Sequence, residues 1–224
     1  MLAGTHKYDI IVIHLKNIIK WMEGILLKKN FIGIVFMIIG AAIVISALSM
    51  RYEANKKQKM MIQDFKESIQ KSDENLGASE IIDVTDKKPS DNQTGTIGII
   101  SIPKIDVNVA LSEGIDTDVL KYAVGHFTET PMPGEKGNSC FAGHRSYTYN
   151  QYFNRLDELD VGDIIVVTTK HGEFEYEVYE SKVVEPEEIS VLDNTKGAEI
   201  TLVTCTPIRV ATHRLIVKGK MVIK

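Results

Sequence analysis

Two strands joined by a short connection are predicted by the stretch Thr201-Leu-Val-Thr-Cys205-Thr-Pro-Ile-Arg-Val-Ala-Thr-His-Arg214-Leu-Ile-Val-Lys218. The residues from Ile200 to Thr204 are β-branched or apolar throughout, and the segment from Arg214 to Val217 resumes this character. Pro207 has no backbone N–H to give to a ladder, so the first strand should end near it. If the strands pair as antiparallel neighbours, Cys205 at the end of one lies beside Arg214 at the start of the next.

A thiol beside a fixed positive charge is suited to nucleophilic catalysis. The guanidinium favours the thiolate form, and the thiolate is the nucleophile in cysteine catalysis. The alternative is structural, because a single Cys at the end of a buried strand often serves as a small core side chain, and a lone Arg on a strand usually faces solvent. A third group is needed to favour the catalytic interpretation.

That third group is His144, in the phrase Asn138-Ser-Cys-Phe-Ala-Gly-His144-Arg145. It follows a short apolar run that Gly143 closes, so it too is expected where a strand ends. Cys, His and Arg at three strand ends can converge on one rim of a sheet or barrel, which the sequence allows but does not require.

Together these residues resemble the sortases, the cysteine transpeptidases of Gram-positive cell surfaces. The resemblance covers about residues 96–224 and rests on Thr201-Leu202-x-Thr204-Cys205, on the downstream Arg214, and on His144 in Ala-Gly-His-Arg about 60 residues upstream. The phrase Gly125-His126 through Thr130-Pro131-Met-Pro133-Gly134 to Asn138 is similar to the segment before the catalytic His in several sortase classes. The chain is most similar to class D, and class C comes next.

Composition excludes several classes of function. The chain has 224 residues, 44% of them apolar and 25% charged, which is enough for one modest domain with additional segments. The net charge of −4, with 13 basic against 19 acidic side chains in residues 96–224, gives no case for nucleic-acid binding. The sequence has no CxxC pair, metal-type His/Cys spacing or Gly-rich phosphate loop, so we predict no metal and no cofactor.

A membrane anchor is predicted at residues 31–50, which are 20 positions without a charged side chain. As a helix they would span roughly 30 Å, the thickness of the hydrocarbon core, and the run is longer and begins later than the apolar part of a cleaved signal peptide. Lysine and arginine within 20 residues number four before the run and five after it, so the positive-inside rule does not set the orientation. The sortase resemblance implies a single-pass protein of the cell membrane with its catalytic domain outside.

Four segments are therefore expected along the chain. Residues 1–30 form a cytoplasmic leader, either an amphipathic helix on the membrane or a loosely ordered tail. Residues 31–50 are the transmembrane anchor. Residues 51–95 are a charged helical stalk followed by a flexible linker around 86–95. Residues 96–224 are the sortase catalytic domain.

The domain from 96 to 224 is predicted to be mainly β. Its β-branched and apolar runs number seven or eight and are joined mostly by turns. A closed or nearly closed β-barrel of seven to eight strands with short helices, preceded by the N-terminal transmembrane helix, fits this spacing. It is also the fold that the sortase resemblance implies.

The candidate site residues have distinct predicted roles. Cys205 attacks a peptide carbonyl, the amine half leaves, and a thioester remains. His144 protonates the departing amine and then takes a proton from the incoming one. Arg214 holds a substrate carbonyl or stabilises the oxyanion, with a backbone N–H near Cys205 as the rival for the second role. Thr204 alternates to the opposite face of an ideal strand and receives a supporting role in substrate binding.

The resemblance implies both a substrate and an acceptor. A surface protein with a C-terminal sorting signal of the Leu-Pro-x-Thr-Gly type would be cut after Thr and joined to an amine of a peptidoglycan precursor or another acceptor. The segment 185–192 would bind the Leu-Pro end, with apolar contacts from Ile189, Val191 and Leu192. The alternative is that these side chains only pack on the barrel.

Three alternatives to a class D sortase remain open. The phrases Thr204-Cys-Thr-Pro207 and Thr212-His-Arg-Leu215 also resemble the pilin-polymerising class C, although residues 76–96 lack the Asp-Pro-aromatic phrase of that class's lid and no apolar span follows the barrel. A cysteine protease would differ from a transpeptidase in one observable way: an added amine would not change the product of peptide cleavage. A membrane-tethered binding module on an inactive barrel would not need Cys, His and Arg together.

Overall fold

The computed structural model describes residues 5–75, 95–145 and 152–222. The chain divides into two compact units, Met1–Ser49 and Met50–Lys224. The linker expected at 86–95 lies outside the described residues except for its last residue, Gly95.

The first unit is helical. Helix α1 is Thr5–Asn75, and its side chains are described at Phe31 and from residue 33 to 71. The side chains of the leader expected at 1–30 are therefore outside the described part. The helix is long and apolar enough to cross a membrane, and its large apolar side chains between Phe31 and Met50 are exposed instead of packed in protein. Such a surface fits lipid better than water, which agrees with membrane anchoring.

The second unit contains a closed barrel of eight strands. They are β1 (Thr96–Ile102), β2 (Val107–Glu113), β3 (Val124–His126), β4 (Gly137–Ala142), β5 (Ile164–Thr169), β6 (Gly172–Val184), β7 (Ala198–Thr206) and β8 (His213–Met221). Their order is β1-β2-β3-β4-β7-β8-β6-β5, and β5 pairs with β1 to close the ring. The prediction of a mainly β, closed barrel of seven or eight strands is confirmed.

Short helical turns connect the strands. Helix α2 (Thr117–Leu120) has Asp116 as its N-cap, whose Oδ1 accepts from two backbone N–H groups. Three 3₁₀ turns lie at Pro103–Ile105, Leu156–Glu158 and Ile189–Leu192. The barrel interior is filled by apolar side chains that alternate inward along the strands, including Ile100, Leu111, Phe141, Leu202 and Val217.

Three adjacent strands position the candidate site. β4 pairs with β7 in parallel, and β7 pairs with β8 in antiparallel orientation. Parallel neighbours end at the same edge of a sheet, and an antiparallel neighbour begins there. The C-terminal ends of β4 and β7 and the start of β8 therefore meet at one rim of the barrel.

One face of the α1 segment after residue 50 packs against the barrel. Its buried residues are Ala54, Gln58, Met61 and Phe65, spaced as one face of a helix. The Gln58 side-chain oxygen accepts from the Ala110 backbone N–H at 3.2 Å, and Met61 packs with Ala110 and Ala123. Residues 51–75, the part of the predicted stalk that the structure describes, are thus in the same compact unit as the barrel.

Met61→Ala in the full chain should lower the free energy of unfolding by about 2 kcal/mol, because it removes a buried side chain from the contact between helix and barrel. Met60→Ala is the matched control, since the neighbouring Met60 is 53% exposed. Chemical denaturation in detergent, followed by circular dichroism, measures both variants. Equal effects of the two substitutions would show that this helix face does not pack on the barrel.

Candidate active site

Cys205 and Arg214 lie directly opposite each other on β7 and β8. Opposed residues of an antiparallel pair project to the same face, with their Cβ atoms about 4.5–5.5 Å apart. Both residues are half-buried, and Cys205 is a free thiol. The structure therefore has the antiparallel pairing that the sequence predicts, and it places both residues on one face at the barrel rim.

His144 reaches the same rim from β4. The last β4–β7 pair is Ala142 with Val203, and beyond it the chain still follows β7, because Gly143 N donates to the Val203 carbonyl at 3.1 Å. Continuing this register by two residues brings His144 level with Cys205. His144 is exposed, so its imidazole is open to a bound molecule.

The backbone before His144 is held by a buried hydroxyl. Thr204 Oγ1 donates to the Gly143 carbonyl at 2.7 Å, and Thr204 is 2% exposed. A buried hydroxyl that already donates to the backbone does not face a bound peptide. The structure therefore favours a supporting role for Thr204 at the His144 segment over the predicted contact with substrate.

Gly143 is required by close packing beneath the site. A Cβ atom there would come within 2.6 Å of the ring of Phe153, which is fully buried. The backbone N–H of Phe153 also donates to the His144 carbonyl at 3.2 Å. The segment that begins at Tyr152 thus supports His144 from below.

Arg214 is held by the connection between β7 and β8. Its Nη1 donates to the carbonyls of Ala211 at 3.1 Å and His213 at 3.0 Å. Within the described part of the chain, Nε and Nη2 of Arg214 have no hydrogen-bond partner. These two nitrogens are therefore able to donate to a carbonyl or oxyanion of a bound peptide.

The segment before β7 is anchored by Asn138. The side-chain amide of this fully buried residue donates to the carbonyls of Val191 at 3.1 Å and Asp193 at 3.2 Å. The residues predicted to contact the substrate differ in exposure, because Val191 is 7% exposed while Ile189 is 74% exposed. Leu192 is half-buried. Of the three, Ile189 offers the most apolar surface to a ligand.

The second cysteine has a different environment. Cys140 is fully buried in β4, and burial raises the pKa of its thiol to about 12. It is kept as a neutral core side chain. His126, also buried, is bonded through Nδ1 to Glu113 at 3.1 Å and through Nε2 to Thr130 at 3.1 Å, which is a structural arrangement.

Sequence reasoning assigned no role to Asn138, Phe153 or Arg145. The signal available for Asn138 was a polar residue inside an otherwise apolar strand, which in a folded protein needs buried partners. The partners of Phe153 and Arg145 come from other strands and turns, so no local pattern marks them.

The three side chains at the rim indicate a class of enzyme. A free thiol, an imidazole and a guanidinium at one rim of a closed barrel are the equipment of a cysteine-dependent acyl-transfer enzyme. A cavity of about 450 Å³ between α1 and the barrel, lined by residues such as Arg51 and Gln58, contains none of the three side chains. This cavity is therefore separate from the candidate site at the rim.

The chain belongs to the sortase family, the cysteine transpeptidases, because the sortase domain matches residues 100–222. Sortase D of Bacillus subtilis (strain 168) is 32% identical over 176 residues, which cover 76% of this chain and 87% of that protein. The structure of a Clostridium perfringens Sortase D5 transpeptidase is 34% identical with a TM-score of 0.59, covering 75% of this chain and 99% of that one. Sortase C2 of the Group B Streptococcus Pilus Island 1 is 33% identical with a TM-score of 0.55, covering 58% of this chain and 75% of that one. The predicted sortase resemblance, to class D first and class C next, is confirmed.

Iodoacetamide at about pH 8 should modify Cys205 and leave Cys140 unmodified in the native full chain. With its thiol pKa raised to about 12, Cys140 is in the slowly reacting neutral form at the pH of the experiment. Peptide mass spectrometry after quenching and digestion measures both sites, and denaturation in urea is the control in which both should react. Comparable labelling of the two thiols in the native chain would contradict the burial of Cys140.

Proposed function

We propose that this sortase is membrane-anchored, cleaves a Leu-Pro-x-Thr-Gly type sorting signal after Thr, and joins the new carboxyl end to an amine of the cell wall. Cys205, His144 and Arg214 carry the reaction. The observation behind this is the register that sets Cys205 opposite Arg214, while the chain after β4 continues along β7 and brings His144 level with Cys205.

In the first step the Cys205 thiolate attacks the carbonyl carbon between Thr and Gly of the signal. The developing oxyanion accepts hydrogen bonds from Arg214, whose Nε and Nη2 are available among the described residues. The C–N bond then breaks, and His144 gives a proton to the leaving Gly amine. A thioester between Cys205 and the Thr carbonyl carbon remains.

In the second step an acceptor amine attacks the thioester. His144 takes a proton from the amine, the C–S bond breaks, and Cys205 returns as the thiolate while an amide forms. Water can replace the amine, and the reaction is then a peptidase-type hydrolysis. Transpeptidation is the main outcome when the acceptor amine reaches the thioester faster than activated water does.

The Leu-Pro end of the signal binds at the segment 185–192. Ile189 supplies exposed apolar surface, and Val191, being buried, holds the segment on the barrel together with the Asn138 hydrogen bonds. Apolar pockets with a few placed polar groups are the usual form of a peptide-binding site.

The acceptor distinguishes the two sortase classes. A class D enzyme uses a wall amine such as that of a peptidoglycan precursor, which we favour because residues 76–96 lack the class C lid phrase. The alternative is a pilin-polymerising enzyme, which the similarity to Sortase C2 keeps open. A lysine-bearing pilin peptide and a peptidoglycan stem peptide, offered together as acceptors, separate these alternatives.

Cys205→Ala should abolish turnover of a Leu-Pro-x-Thr-Gly type peptide, because the sequence has one other thiol, Cys140, and that thiol is fully buried in β4. In the wild-type chain, mass spectrometry should detect a thioester at Cys205 that an added amine converts into a new amide. Cys140→Ala is the matched control and should keep the activity. Cleavage by Cys205→Ala would rule out this nucleophile, and a thioester that no amine resolves would make the chain a cysteine protease. A wild-type chain that binds the peptide without acylation would be a binding module.

The N-terminus should lie in the cytoplasm and the barrel outside, as in a single-pass membrane protein. Protease added to intact, wall-stripped cells should then digest the barrel and spare a cytoplasmic marker protein. Permeabilised cells provide the control in which both are digested. A barrel protected in intact cells would overturn the orientation and, with it, access to surface proteins.

A further inference from the structure

Arg145 follows His144 in the chain and takes no part in the bond-breaking and proton-transfer steps. Its side chain is 6% exposed, so its charge is almost fully withdrawn from water. A buried guanidinium is stable only when its N–H groups have partners. The partners of Arg145 therefore show which parts of the molecule it holds together.

Each of three guanidinium nitrogens has its own partner. Nη2 forms an ion pair with Asp157 Oδ2 at 2.7 Å, Nη1 donates to Thr206 Oγ1 at 2.9 Å, and Nε donates to the Asn154 carbonyl at 3.2 Å. The planar, rigid arrangement of these donors fixes the directions of all three contacts at once.

The partners come from both sides of the candidate site. Thr206 follows Cys205 at the end of β7, whereas Asn154 and Asp157 belong to the segment whose Phe153 N–H also bonds to the His144 carbonyl. Arg145 thus connects the His144 end of β4, the Cys205 end of β7 and the segment beneath them.

We propose that Arg145 is a positioning residue of the transpeptidation, which holds the His144 imidazole at the distance from the Cys205 thiol that proton transfer needs. The proposal rests on the roles assigned above to His144 and Cys205. Arg145 is too buried to touch the substrate, and Asp157 balances its charge, so its effect is geometric. Misplacing a reacting group by about 1 Å is enough to slow a step by roughly 100-fold.

Arg155 provides a matched control from the same segment. Its side chain is 46% exposed and pairs with Glu158 at 2.8 Å and Asp106 at 3.0 Å. Exposed ion pairs contribute little to stability. Neither of these partners lies in β4 or β7, so Arg155→Ala removes the same functional group and keeps the hydrogen bonds of Arg145 to Thr206 and Asn154.

The test compares single-turnover acylation by the full chain in detergent for the wild type, Arg145→Ala, Arg145→Lys and Arg155→Ala. Arg145→Ala should lower the acylation rate constant by roughly 100-fold and change KM by less than about twofold. Arg145→Lys should not restore the rate, since an ammonium lacks the planar fork, and Arg155→Ala should stay within about twofold of the wild type. Guanidinium ion at millimolar concentration should restore part of the Arg145→Ala rate, whereas methylammonium at the same ionic strength should not.

Three results would overturn the proposal: acylation by Arg145→Ala within about threefold of the wild type, a loss confined to KM, or an equal loss in Arg155→Ala. If Arg145→Ala does not fold, Thr206→Val decides, because it deletes only the hydroxyl that Arg145 donates to. That variant should acylate about fivefold more slowly with an unchanged unfolding midpoint, and an unchanged rate would overturn the proposal. Failure of the proposed function is distinct, since the wild type itself would then form no thioester at Cys205.

Discussion

The hydrogen-bonded register between β7 and β8 is the constraint on which the rim depends. A slip of one residue would turn Cys205 to the opposite face of the sheet and bring a threonine opposite Arg214. The register is secured from both sides, because β7 is also paired with β4 along six residues and β8 with β6. Closure of the barrel therefore does more than bury apolar surface: it determines which side chains meet.

Part of this arrangement is predictable from the sequence because it is local. The two strands around Pro207 are close in the chain, so their antiparallel pairing and the meeting of Cys205 with Arg214 follow from strand patterns and a short connection. The position of His144 does not follow in the same way. β4 and β7 pair in parallel across the intervening β5 and β6, and such a non-local pairing leaves no mark in a local pattern. β3, with three residues, is too short for its pattern to be recognised.

Buried polar side chains explain most of what the sequence does not reveal. Asn138 bonds to carbonyls more than 50 residues away in the chain, and one partner of Arg145, Thr206, is equally distant, so these contacts become visible only when the partners are placed. The buried helix face after residue 50 is also hard to recognise from the sequence. Met61 and Phe65 are large and apolar, but Ala54 is small and Gln58 is polar, so the apolar stripe is weak. Its charged neighbours dominate the composition and favour the interpretation as a charged helical stalk.

The closed order of the strands also limits how a peptide can be recognised. Many proteins bind extended peptides by β-augmentation, in which the ligand joins an open sheet edge. It then gains a row of main-chain hydrogen bonds that do not depend on its sequence. In this barrel each of the eight strands already has a neighbour on both sides. Backbone without a second neighbour is left where a strand outruns its partner, as β6 does beyond its pairing with β5. We therefore expect an extended signal to be recognised mainly by side chains and loops at the rim, whose contacts depend on its sequence.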